Sequence, residues 1–140
     1  MLKEFKIKRI LQGRLFRGDE IVASITNIAK EKGITAGLIN GIGAVEMAKI
    51  GYYEQKTRKY MSQEFTEPME ILSLKGNVSI KDGEPFPHIH VVLSREDYSS
   101  IGGHLFEAQV FAFEFEIIEF EGTAYERGFD EDTGLFLWKG

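Results

Sequence analysis

The chain has 140 residues, a formal net charge of −5, 43% hydrophobic and 28% charged residues, and no cysteine. That size and mixture suit a single domain over residues 1–140 and exclude a disordered tail, disulfide stapling, thiolate metal sites and thiol nucleophiles. No run approaches the ~20 apolar residues of a membrane span, and Met1-Leu2-Lys3-Glu4-Phe5-Lys6 has no secretory h-region, so a cytoplasmic protein without a membrane partner is expected.

The charge is unevenly distributed. Residues 1–60 hold twelve Lys/Arg against six Asp/Glu, whereas residues 61–140 hold five against sixteen. Two readings stand: solvated faces of one sheet, or a basic face for phosphates or an acidic partner.

In chain order, Phe5, Ile7, Arg9 and Leu11 alternate with Lys6, Lys8, Ile10 and Gln12, which predicts a first strand of mixed faces. Gly13 and Gly18 bracket a turn, and Asp19 is placed to N-cap a helix. Ile21, Val22, Ile25, Ile28 and Ala29 form the apolar stripe of that long amphipathic helix, which Gly33 ends. Short strands are expected at 34–39, 47–54, 69–74, 78–80, 89–93 and 110–120, the last marked by Phe111, Phe113, Phe115 and Ile117 alternating with Ala112, Glu114 and Glu116. Lys75-Gly76-Asn77 and Lys81-Asp82-Gly83-Glu84-Pro85 punctuate them as turns. One helix among many strands predicts an α+β domain with a mainly antiparallel sheet.

Asn40-Gly41-Ile42-Gly43 fails as a dinucleotide fingerprint, because Glu46 stands where the third glycine belongs and a strand follows instead of a helix. A tight turn is the better reading of that segment. No Walker motif or Gly-x-Ser-x-Gly elbow is present.

All three histidines fall between 88 and 104. His88 and His90 sit two apart in a predicted strand and share a face. His104 follows Gly102-Gly103, a permissive bend that brings it within reach of the same place. Three neutral imidazoles without thiolate suit Zn²⁺ or another divalent metal, with a fourth position for water or a small anion. The alternative is that each ring fills a polar niche near a turn.

The run Gly83-Glu84-Pro85-Phe86-Pro87-His88-Ile89-His90-Val91-Val92-Leu93-Ser94, followed by Ile101-Gly102-Gly103-His104-Leu105, resembles the signature of the plant and prokaryote conserved (PPC) domain. Arg14-Leu15-Phe16-Arg17-Gly18-Asp19 is similar to the family's lead-in to its helix, and Gly33-Ile34-Thr35-Ala36-Gly37 to Gly41-Ile42-Gly43-Ala44 to the strand and turn after it. Glu70-Ile71-Leu72-Ser73-Leu74-Lys75-Gly76 and Phe129-Asp130-Glu131-Asp132-Thr133-Gly134-Leu135 resemble further family segments, so the likeness covers nearly the whole chain as a stand-alone domain. It implies an α+β fold, a homotrimer and, for some prokaryotic members, metal held by these histidines. It also implies an association with DNA, which plant members make through a neighbouring AT-hook. This chain offers only Gly13-Arg14-Leu15 in place of the hook.

Two functions follow. The first is a trimeric binding or assembly module, regulatory or DNA-associated, with a zinc site at His88, His90 and His104 and at most weak nucleic-acid or protein contacts. The second is a small zinc hydrolase or hydratase using metal-bound water, for which Glu70, Glu84 and Glu107 are general acid/base candidates by residue type alone. The first is favoured, since the family implies no activity and no catalytic residue is identified.

Overall fold

The structure is a computed structural model describing residues 1–139. Its elements are β1 (Lys6–Leu15), α1 (Ile21–Lys32), β2 (Gly37–Glu54), β3 (Lys59–Phe65), β4 (Met69–Lys81), β5 (Glu84–Ser94), β6 (Ser100–Glu121), β7 (Glu126–Asp130) and β8 (Leu135–Lys139). The strands form one sheet in the order β3-β2-β6-β5-β4-β7-β8, with β1 on β6 and a further pairing of β2 with β4. That extra pairing closes β2, β6, β5 and β4 into a ring. Every pairing is antiparallel except a single β4–β7 bridge, Ile80 to Glu126. The expected mainly antiparallel α+β fold is therefore present.

The one helix is short: 12 residues, where a long helix was expected. Its stripe is as predicted, with Ile21, Ile25 and Ala29 fully buried against β5 and β6. Gly33 ends it in the left-handed conformation (φ 65°) that a side chain would oppose. The N-cap is Glu20, not Asp19. The Glu20 carboxylate accepts the Val22 and Ala23 amides at 3.0 and 2.6 Å and the Ala108 amide of β6 at 2.9 Å. Asp19 instead accepts the Phe16 amide at 2.8 Å, closing the turn ahead of the helix. One extra residue of turn moves the cap, and Glu reaches far enough to tie helix to sheet.

Strands predicted as separate are continuous. Residues 37–39 and 47–54 belong to one strand, Gly37–Glu54, with 34–36 lying ahead of it, and Asn40-Gly41-Ile42-Gly43 is a bulge inside that strand instead of a tight turn. A Cβ on Gly43 would lie 2.1 Å from the Ala112 carbonyl oxygen of β6, so glycine here serves close strand approach. Lys75-Gly76-Asn77 likewise lies within β4, opposite His88, Ile89 and His90. The Asp82-Gly83 turn is correct, with φ of 53° and 81° at its centre. β3, β7 and β8 were not anticipated. The core gathers Phe113, Ile21, Ile25, Ile34, Leu74, Ile89, Leu93 and Ile117, all essentially without solvent contact.

Candidate metal centre

The histidines meet because of register. His88 and His90 project from the same face of β5, two residues apart. β6 runs antiparallel beside it with His104 directly opposite His90, where paired side chains stand on one face about 5 Å apart. Gly102-Gly103 is not a bend, as expected from the sequence, but part of β6; the chain reverses earlier, at the Arg95–Ser99 turn. Gly103 acts through space: a Cβ there would come 2.4 Å from the Gly51 carbonyl oxygen and 2.9 Å from Ile50. Any larger residue would separate β6 from β2 beside the cluster.

The three ring centroids lie 5.0, 5.1 and 5.5 Å apart. One nitrogen from each ring can be chosen so that all three fall within 4.8 Å of one another, and the Nε2 atoms of His88 and His90 are 3.2 Å apart. His88 and His104 are half-buried and His90 is exposed, so the cluster opens to solvent on one side. Burial first, then the Arg127 guanidinium and the neighbouring imidazoles, pushes His88 down to about 4. Burial first, then His90 and Arg127, does the same for His104, also to about 4. Both rings are thus neutral at pH 7, with lone pairs available. His104 Nδ1 is buried and has no hydrogen-bond partner among the described residues, an arrangement that costs stability unless a ligand satisfies it. The donor set, the protonation state and that orphaned nitrogen fit a divalent cation.

A cavity of about 360 Å³ opens beside His88 and His104. Its walls carry Arg58, Lys81 and Arg127 and no Asp or Glu. Tyr60 packs tilted and Phe106 edge-on against His104, with centroids 5.3 and 4.7 Å from it. Arg127 reaches the cavity from β7, donating Nε–H to Ser79 Oγ (2.8 Å), Nη1–H to the Phe136 carbonyl (3.0 Å) and Nη2–H to Asn77 Oδ1 (2.9 Å). Its Nη2 also lies 3.5 Å from His88 Nδ1. Arg58, Tyr60, Phe106 and Arg127 were not singled out in the sequence, because no local signal links them to the histidines. Glu70, Glu84 and Glu107 are elsewhere: all three are exposed strand residues, Glu84 pairs with Lys30 at 3.3 Å, and none lines the cavity.

Comparison with known proteins agrees with the architecture. A metal-containing protein of Archaeoglobus fulgidus is 48% identical with a TM-score of 0.96, covering 100% of this chain and 99% of that one. A plant- and prokaryote-conserved (PPC) protein of Pyrococcus horikoshii is 39% identical with a TM-score of 0.94, covering 100% and 98%. A candidate DNA-binding protein of Bacteroides thetaiotaomicron is 34% identical with a TM-score of 0.89, covering 97% and 96%. No curated protein matches the sequence. The sequence profile of the Plants and Prokaryotes Conserved (PCC) domain spans residues 2–121, which takes in the ring of strands, the helix and all three histidines. With the profile covering most of its length and the fold shared with close relatives, the chain belongs to the PPC domain family.

Proposed function

We propose that this protein is a homotrimeric PPC-domain binding module built around one zinc ion held by His88, His90 and His104, with any nucleic-acid contact weak and salt-sensitive. The observation that carries the proposal is the convergence of three imidazoles within 4.8 Å, two of them held neutral by burial and nearby positive charge. Zinc suits an all-imidazole set in a chain without cysteine, with a fourth position left for water, a carboxylate or a small anion. The similarity to a metal-containing protein at 48% identity supports the same reading. Exposed apolar side chains on the sheet, among them Leu38, Ile42, Leu72, Val92 and Phe111, support a subunit interface. A zinc hydrolase would want a general acid/base beside the cluster, and the cavity walls hold no carboxylate. When bound, zinc would supply positive charge and a Lewis-acidic ligand position. The residues of this chain orient the donors, keep them unprotonated and exclude bulk water from one side.

The test is elemental analysis of the purified protein, as isolated and after chelation and reloading, together with His90→Ala. About one zinc per wild-type chain is expected, and the variant should lose most of it while keeping its fold, since His90 is exposed. A wild-type protein that neither retains nor takes up zinc would overturn the proposal.

A further inference from the structure

We propose that the cavity beside the histidine cluster binds a small organic oxyanion, its charged group held by Arg127 and its apolar body lying against Phe86, Phe106 and Phe136. The cavity volume, about 360 Å³, is at the lower end of the ~300–1,000 Å³ usual for small-molecule sites. Its charge has one sign: Arg58, Lys81 and Arg127 on the walls, with no acidic side chain to neutralise them. Arg127 is the informative one. A guanidinium has five N–H donors and no acceptor. Three are spent on the neutral oxygens of Ser79, Asn77 and Phe136, and no ion pair among the described residues includes Arg127. A partly buried cation fixed by neutral groups, with donors to spare, is the arrangement that receives a planar oxyanion.

The remaining contact of Arg127 sharpens the argument. Its Nη2 lies 3.5 Å from His88 Nδ1, while the Nε2 of His88 faces His90. A neutral imidazole that gives its Nε2 lone pair to a metal carries its proton on Nδ1 and cannot accept from Arg127. The guanidinium edge would then be left to an exogenous acceptor. The inference uses the zinc reading for this step and for added positive charge; the cavity and Arg127 stand without it. The apolar part of the ligand is argued from the walls. The Lys81 ammonium lies over the rings of Phe86 and Phe136 at 5.1 and 4.4 Å, and Arg127 lies over Phe86 at 5.4 Å. The cations thus rest on aromatic surface instead of facing open water. Arg127 and Phe136 belong to the β7–β8 hairpin, beyond residue 121 where the family profile ends. The charged anchor of the ligand thus comes from outside the profile, while Phe86 and Phe106 come from the strands that carry the histidines.

The experiment is calorimetric titration of zinc-loaded and metal-free protein with benzoate, benzamide, acetate and inorganic phosphate, with zinc per chain measured in each sample. Benzoate should bind the zinc-loaded wild type at least tenfold more tightly than acetate or phosphate, and benzamide should not bind. Arg127→Met should lose tenfold or more in benzoate affinity with zinc content unchanged, and Arg127→Lys should recover part of it. If Arg127→Met does not fold, Lys81→Met, whose ammonium makes no hydrogen bond among the described residues, should still weaken benzoate threefold or more. Benzoate binding that is absent from wild type, equal in the charge variants, or matched by benzamide or phosphate overturns the inference. Absence of zinc from wild type overturns only the metal reading, because the dependence on Arg127 in metal-free protein still decides this one.

Discussion

Zinc should raise the melting temperature of the metal-free protein by about 9 °C. The three donors are assembled by strand register before any ion arrives, so binding favours the native state without further folding. The unfolded chain keeps only His88 and His90 close together. At free zinc 100 times the dissociation constant, preferential binding to the native state is worth about 2.7 kcal/mol. Unfolding entropy near the melting point is about 2.1 cal/mol/K per residue, which over 140 residues comes to roughly 0.3 kcal/mol/K. The ratio of the two gives the expected shift. Differential scanning calorimetry at pH 7.5 and fixed chain concentration, with and without chelator, measures it. His90→Ala should melt close to metal-free wild type and lose the zinc-induced shift. A wild-type melting temperature unmoved by saturating zinc, or a full shift retained in His90→Ala, would refute the reasoning.

The metal-free protein should be acid-sensitive in a defined window. His88 and His104 sit at about 4 in the folded chain against an ordinary 6.5, so the unfolded chain takes up protons first and stability declines as pH falls from about 6.5 to 4; chemical denaturation across that range should show it, with a flatter profile in His88→Gln. Gly103→Ala should lower the melting temperature by several degrees and weaken zinc binding, because its Cβ would sit 2.4 Å from the Gly51 carbonyl oxygen; near-wild-type values in both scans would show that the strands yield. Sedimentation equilibrium should give three times the 15.9 kDa chain mass, and a concentration-independent monomer would remove the proposed trimer.

What the sequence made legible was local. The stripe Ile21, Ile25 and Ala29 predicts a buried helix face by periodicity alone, and His88 and His90 predict a shared face by strand alternation. Non-local pairing was not legible. That Gly43 serves close packing against Ala112, and not a turn, depends on a strand about seventy residues away. His104 reaches His90 through register set by a reversal at Arg95–Ser99, while the adjacent glycines suggested a bend. The same limit hid Arg127. Its position beside His88 is fixed by Ser79, Asn77 and the Phe136 carbonyl, partners 48 and 50 residues upstream and 9 downstream, and no short motif encodes that.

The charge asymmetry of the sequence shows how far folding can reverse a compositional inference. The basic residues near the start, Lys3, Lys6, Lys8, Arg9, Arg14 and Arg17, suggest a surface for phosphates. In the fold, β1 lies antiparallel on the acidic strand β6, with Lys6 opposite Glu121, Arg9 opposite Glu119 and Arg14 opposite Glu114. Lys8 and Arg9 both bond the Glu119 carboxylate, which is only 3% exposed. Burial alone would raise that carboxyl; the two cations outweigh it and hold it below its ordinary range. Arg17 pairs with Glu46, and Lys3 donates to the Ala124 carbonyl at 3.1 Å. A duplex would therefore have to compete with carboxylates already in place, and breaking the Glu119 pairs would leave a buried charge uncompensated. Counterion release supplies affinity only where cations are available to phosphate. Lys8, Arg9 and Arg17 are thus held by carboxylates, whereas Arg58, Lys81 and Arg127 converge on a cavity without a carboxylate. Arg58, Lys81 and Arg127 thus place positive charge beside the histidines with no acidic side chain on the cavity walls to neutralise it.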